Sequence, residues 1–176
     1  MDTYKETMEY VFRKATAADI DSSMKILEFA RQQMLSEGKK QWDANYPTRA
    51  NVEADVHNCN AYVMQHGDRL VAYGAVVFTG EPAYCDIDGH WLSEQPFVVL
   101  HRIAVAGDER GHGIGVKFMQ EVERLAISKG VHSFRADTNY DNERMQRLFE
   151  KMGFTYCGKV SYQQGQRMAY EKLLVL

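Results

Sequence analysis

The sequence lacks the features that would place it in a membrane, outside the cell or on nucleic acid. No stretch approaches the ~20 apolar residues that a membrane-spanning helix needs. The opening Met1-Asp2-Thr3-Tyr4-Lys5-Glu6 has no apolar core of a secretion signal. Cysteine is scarce: Cys59, Cys85 and Cys157 are odd in number and far apart, which argues against a disulfide framework and shows no zinc-ligand spacing. No metal is therefore expected, and free thiols point to a reducing cytoplasm. A formal charge of −3 gives no basic footprint for nucleic acid or anionic lipid. There are no internal repeats and no low-complexity tract. What remains is an ordinary globular composition, 45% hydrophobic and 26% charged, over 176 residues. That length predicts a single domain over 1–176, large enough to bury a sound core.

The chain is organised around Arg110-Gly111-His112-Gly113-Ile114-Gly115. Before it, Phe97 to Val105 is short, apolar and rich in β-branched residues, which reads as a buried strand. After it, Ile114, Phe118, Val122, Leu125 and Ala126 recur at helical spacing until Gly130. A glycine-rich loop thus leads from a strand into a helix N-terminus, presenting unpaired backbone N–H groups and the positive end of a helix dipole to an anion. Arg110 adds a fixed positive charge. Spacing decides between phosphate ligands. A dinucleotide fingerprint counted from Gly111 would need glycine where Val116 stands. A triphosphate loop fails because Lys117 lies between Val116 and Phe118. What fits is Arg-x-x-Gly-x-Gly at Arg110, Gly113 and Gly115; by itself it is equally an ordinary tight turn.

A second stretch narrows the choice. In Asn142-Glu143-Arg144-Met145-Gln146-Arg147-Leu148-Phe149-Glu150-Lys151-Met152-Gly153-Phe154, the residues Met145, Leu148, Phe149 and Met152 share a helical face. Asn139 or Asp141 is the expected cap, and Gly153 the stop. The loop followed by this asparagine-led helix, with a strand from His132 to Asp137 between them, resembles the two core motifs of the GNAT superfamily of N-acetyltransferases. The resemblance is strongest over 97–158 and architectural elsewhere.

The remaining elements agree with that architecture. A strand is expected at Tyr10 to Lys14, a helix from Ala18-Asp19 to near Gly38, and a weaker helix between Arg49 and Asn58. A hairpin from Tyr62 to Phe78 turns at Gly67-Asp68, and Thr79 to Gln95 is turn-rich. A closing hairpin, Phe154 to Tyr162 then Arg167 to Leu174, turns at Gln164-Gly165. The fold class implied is α/β (α+β): the GNAT fold, a mixed, mostly antiparallel sheet flanked by helices and splayed at the acyl-CoA site.

The resemblance implies acetyl transfer from acetyl-CoA, as co-substrate and without a metal, to an amine that attacks directly. Holding amine and thioester together supplies much of the rate. It assigns the pyrophosphate grip to Arg110, Gly111, His112, Gly113, Ile114 and Gly115, and the pantetheine arm to the strand backbone at Ile103, Ala104 and Val105. Asn142 matches the family's cofactor-contacting asparagine and reads equally as a helix-start residue; His112 touches phosphate or faces solvent. His101 is the candidate base, on the strand where arylalkylamine acetyltransferases carry a histidine. An imidazole with a pKa of about 6.5 suits neutral pH. It reads equally as a core histidine with a buried partner, and Arg102, on the opposite face, as an ion-pair residue. Phe149 occupies a cofactor-side position where many relatives carry a tyrosine that protonates the leaving thiolate. Tyr140, Tyr156, Cys157 and Tyr162 are the available substitutes, and each reads more readily as a packing or surface residue.

For the acceptor, the variable segments Glu37 to Tyr46 and Thr79 to Gln95 hold Trp42, Tyr46, Tyr84 and Trp91 among Glu37, Glu81, Asp86, Asp88 and Glu94. Asp137 and Asn139 end a core strand nearby. Aromatic and acidic groups together suit a small cationic amine. The expected partner is a small-molecule or amino-acid amine, and the superfamily's habits imply a homodimer. The alternatives are a ribosomal-protein-type N-terminal acetyltransferase, which needs an open groove, and a non-catalytic acyl-CoA-binding module.

Overall fold

The computed structural model describes residues 8–175; the Met1–Glu6 stretch considered above lies outside them. Strand β1 (Tyr10–Lys14) leads into a short 3-10 turn and helix α1 (Ile20–Ser36), followed by α2 (Arg49–His57). The hairpin β2 (Ala61–His66) and β3 (Arg69–Val77) precedes the two-residue β4 (Asp88–Gly89) and the central β5 (Val98–Val105). Then come α3 (Ile114–Ser128), β6 (Ser133–Thr138), α4 (Glu143–Lys151), β7 (Thr155–Tyr162) and β8 (Gly165–Leu173). The eight strands form one sheet in the order β1-β2-β3-β5-β6-β8-β7-β4. Every pairing is antiparallel except β5 with β6.

The sheet is covered on both faces, and the side-chain period of two assigns residues to each. On β2, Ala61 and Val63 join Ile26, Leu27, Trp42 and Val52 beneath α1 and α2. Tyr62 and Met64 face the other way, into the larger core with Phe118, Val122, Phe134 and Phe149 from α3, β6 and α4. This double covering explains why β3 and β5 read as nearly continuous apolar runs. Gly74 permits the closest approach: a Cβ there would come within 2.7 Å of the Phe118 ring.

Two sequence expectations change. The start of α4 is capped by neither Asn139 nor Asp141. Asn142 is the cap, its side chain accepting from the Met145 N–H at 3.2 Å, while the Asn139 side chain donates to Asp141. The turn-rich Thr79 to Gln95 segment also contains a strand, β4, which pairs with β7 at Asp88–Lys159 and Gly89–Gly158. That pairing brings two backbones together where only glycine fits. A Cβ on Gly89 would lie 2.1 Å from the Cys157 carbonyl oxygen, and one on Gly158 2.2 Å from that of Asp88.

Candidate active site

Strands β5 and β6 pair only at Val98–Phe134 and Val99–Arg135. Beyond that point they separate, and the β5 edge facing β6 is left without a strand partner. On the other side of β5, Ala75 pairs with His101 and Tyr73 with Ala104, so Arg102 and Ile103 together oppose Gly74. Two residues against one is a β-bulge, which bends the strand carrying the extra residue. Arg102 adopts a left-handed φ of 54°, and its side chain forms an ion pair with Asp55, as the ion-pair reading of the sequence expected. The bend falls at Ile103, Ala104 and Val105, where β5 has lost its pairing with β6.

The glycine loop follows β5. Gly111 and Gly113 take φ of 83° and 73°, conformations that residues with a side chain adopt only with strain. Among the described residues, the backbone N–H groups of Gly111, Gly113, Ile114, Gly115 and Val116 meet no acceptor. Unmet donors at a helix N-terminus form an anion site. Arg110 lies over the Phe29 ring at 5.5 Å. Burial, and then the nearby charge of Arg144, push its pKa below the ordinary guanidinium value. Arg144, which the sequence reading did not single out, thus puts a second cation beside the loop; its place in the first turn of α4 was the available signal. His112 is 60% exposed at the side chain, with Nδ1 3.2 Å from Glu109. Phe149 lies in the core against Phe154 and Tyr170 and is 1% exposed. Asn142 is buried and donates to Gln41 Oε1 at 3.1 Å. The same oxygen accepts from Thr138 Oγ1 at 2.9 Å and from the Asn139 N–H at 3.1 Å, so Gln41 ties the α1–α2 connection to the end of β6.

His101 is not a lone core histidine. Its Nε2 lies 3.0 Å from Glu81 Oε2, and both side chains stay about one-fifth exposed. The hydrogen bond from His101 holds the Glu81 carboxyl below its ordinary pKa. A carboxylate only accepts, so Nε2 carries the proton toward Glu81, and Nδ1 is the ring nitrogen left free of that contact. Nearby, Asp137 Oδ2 accepts from Tyr84 at 2.6 Å and from Tyr162 at 2.8 Å. Burial, and secondarily the charge of Asp137, raise both phenol pKa values, so these hydroxyls remain donors. Of the substitute acids, Tyr140 and Tyr156 point to solvent at 70% and 48% exposure, while Tyr162 faces the cluster. Glu81 and Tyr84 also line a cavity of about 700 Å³ shared with Trp91, Phe97 and Arg135. Trp42, read above as an acceptor-loop aromatic, is instead packed in the core at 4% exposure.

A sequence model of the acetyltransferase (GNAT) family matches residues 25–154. The chain belongs to the GNAT family of acetyltransferases. A GNAT acetyltransferase from Streptococcus agalactiae is 33% identical and superposes with a TM-score of 0.87, covering 95% of this chain and 96% of that one. Yeast N-alpha-acetyltransferase 40 is 28% identical over 121 residues, which are 61% of this chain and 41% of that protein, so the match spans less than half of the relative. An acetyltransferase from Salmonella typhimurium, solved with its cofactor acetyl-CoA, shares the fold at a TM-score of 0.67 and 17% identity, covering 94% of each chain. As a GNAT member the protein is an acetyl-CoA-dependent N-acetyltransferase. The unmet N–H groups and Arg110, with Arg144 nearby on Glu37, fit a pyrophosphate. Among the described residues no group of three or more His, Cys, Asp or Glu is gathered to hold a metal, and no helix is long and apolar enough to cross a membrane. The three cysteines are free.

Proposed function

We propose that this GNAT enzyme acetylates the amine of a small molecule or amino acid in the cytoplasm. The observation that carries the reading is the cavity of about 700 Å³ lined by Glu81, the hydrogen-bond partner of His101, because its outer wall is fixed to the sheet. The Arg135 guanidinium lies over the rings of Trp91 at 4.3 Å and Phe97 at 4.1 Å, and its Nε donates to Glu171 at 3.1 Å. Glu171 also accepts from the Leu92 N–H at 2.5 Å and from Ser93 Oγ at 2.9 Å. With β4 sewn to β7, the 79–97 segment is held to the sheet around a cavity of small-ligand size. Glu81 and Glu94 line it together with Arg135, which is paired with Glu171, so the two carboxylates are placed to attract a protonated amine.

Bound acetyl-CoA supplies the acetyl group as a thioester. The loop amides and Arg110, with Arg144 nearby, would hold its pyrophosphate, and the unpaired edge of β5 would take the pantetheine arm. An N–H from the Ile103–Val105 stretch would donate to the thioester oxygen and stabilise the charge that develops there. His101 Nδ1 takes the proton from the attacking nitrogen, while Glu81 holds the ring through Nε2 and stabilises the imidazolium that forms. Phe149 has no hydroxyl to offer the departing thiolate, which is a tolerable leaving group at neutral pH.

The likeness to yeast N-alpha-acetyltransferase 40 favours a second reading, acetylation of a protein's N-terminal amine. One competition assay separates the two. Acetyl-CoA is offered together with a panel of small amines and amino acids and a panel of short N-terminal peptides, and the acetylated products are identified by mass. Products confined to the small amines support the proposal. Products confined to the peptides overturn it in favour of the second reading.

A further inference from the structure

We propose that Arg102 and Asp55 form a positioning pair for acetyl transfer, holding the bulge that opens β5 from β6 and so setting the direction of His101 and of the Ile103–Val105 amides. The inference rests on the transfer chemistry proposed above but not on whether the acceptor is small or a peptide.

A left-handed residue at a bulge is ordinarily glycine, because a Cβ is strained there. Here the position carries a long, cationic, partly buried side chain, so something outside the backbone must hold it. Arg102 Nε donates to Asp55 Oδ2 at 3.0 Å and Nη2 to Oδ1 at 2.5 Å, the two-pronged geometry that fixes a guanidinium in plane and direction. Its remaining arm donates to the Tyr46 hydroxyl at 3.0 Å. Tyr73, fully buried on β3, donates its hydroxyl to Asp55 Oδ2 at 2.5 Å. The anchor therefore joins four places: β5, the partner strand β3, helix α2 and the α1–α2 connection. His101 precedes Arg102 and Ile103 follows it, so rotation of the backbone at Arg102 swings the base and the thioester-facing amides together. The same anchor ties the bulge to the connection whose Gln41 contacts Asn142.

The test compares wild type with Arg102→Lys, Arg102→Gly, Asp55→Asn and Tyr46→Phe, using whichever acceptor the wild type acetylates, small amine or peptide. Lysine keeps the charge but not the fork, and glycine relieves the backbone while deleting the anchor. We expect kcat to fall about 10- to 100-fold in the Arg102 and Asp55 variants, as small misplacements at a reacting centre do. The acetyl-CoA Kd by calorimetry should change by less than about threefold, because the loop that grips pyrophosphate is intact. Guanidinium ion at non-denaturing concentration should restore part of kcat to Arg102→Gly and nothing to Arg102→Lys. If the Arg102 and Asp55 variants do not fold, Tyr46→Phe decides, with a kcat loss at unchanged acetyl-CoA affinity expected. Wild-type kcat in the folded variants, with only the thermal midpoint lowered, would overturn the proposal by showing that the pair serves stability alone. A wild type that prefers peptides defeats the small-amine reading and leaves this comparison unaffected.

Discussion

Glu81 shows how a single residue turns a strand histidine into a usable base. Its carboxylate accepts at Nε2 and leaves Nδ1 to act. Glu81→Gln can still accept at that position but no longer stabilises the imidazolium electrostatically. It should lower kcat about tenfold, part of the ~10²- to 10⁴-fold that a general base contributes. An unchanged kcat would mean that Glu81 has no part in the proton transfer. Asp19 works on stability instead. Arg13, donating to both of its oxygens, lowers its pKa to about 2. The folded value lies below the unfolded one, so the pair stabilises fully above about pH 4, and that contribution is lost as acid carries the pH down through about 2. Denaturation at pH 6 and pH 3 should show Asp19→Asn losing about 1–2 kcal/mol at the higher pH and less at the lower, allowing for the exposed side of Arg13. Ser23, on α1, carries a fully buried hydroxyl with no hydrogen-bond partner among the described residues. Ser23→Ala should raise stability by about 0.5–1 kcal/mol in a thermal melt, since alanine suits a helix better and leaves nothing unsatisfied.

At the scale of elements, the glycine loop makes the sharpest claim. Gly113 caps α3 at φ 73° with no neighbour near a would-be Cβ, so an alanine there fits in space and is strained only in its backbone. Gly113→Ala should cost about 1 kcal/mol of stability and, by turning the loop amides, raise the acetyl-CoA KM about tenfold while leaving the acceptor KM near its wild-type value. Equal loss in both constants would place the effect elsewhere. Most elements were legible in the sequence because their apolar spacing is regular: α3, β5 and the β2–β3 hairpin fall within a residue or so of expectation. The exceptions depend on partners distant in the chain. β4 exists because Gly89 meets Gly158 across β7. The choice of Asn142 over its neighbours as the α4 cap turns on which side-chain oxygen reaches the Met145 amide. Gln41 carries no local signal for its contacts with Thr138, Asn139 and Asn142. The loop and its unbonded helix-start amides were legible. The His101–Glu81 pair was only half so, since no spacing rule connects residues twenty apart across a turn-rich segment.

At the scale of the molecule, the proposed reaction divides its work between two places on the sheet. The loop side holds the unmet amides and Arg110, and the far side holds the aromatic cavity lined by Glu81 and Arg135. The cavity wall depends on a buried ion pair, Arg135 with Glu171, exposed by 6% and 0% at the side chains. Arg135→Ala leaves Glu171 buried without its cation, which costs about 3–5 kcal/mol. It should also raise the acceptor KM more than that of acetyl-CoA, because the 79–97 segment loses its attachment to the sheet. The measurement that bears most directly on the whole account is the release of CoA thiol from saturating acetyl-CoA with a wild-type acceptor, compared between wild type and His101→Ala, with acetyl-CoA affinity taken by calorimetry on the same samples. The account predicts a fall in kcat of about 10²- to 10⁴-fold at an affinity within about twofold of wild type, the mark of a lost general base in an intact cofactor cleft. A His101→Ala enzyme that turns over at the wild-type rate would contradict it.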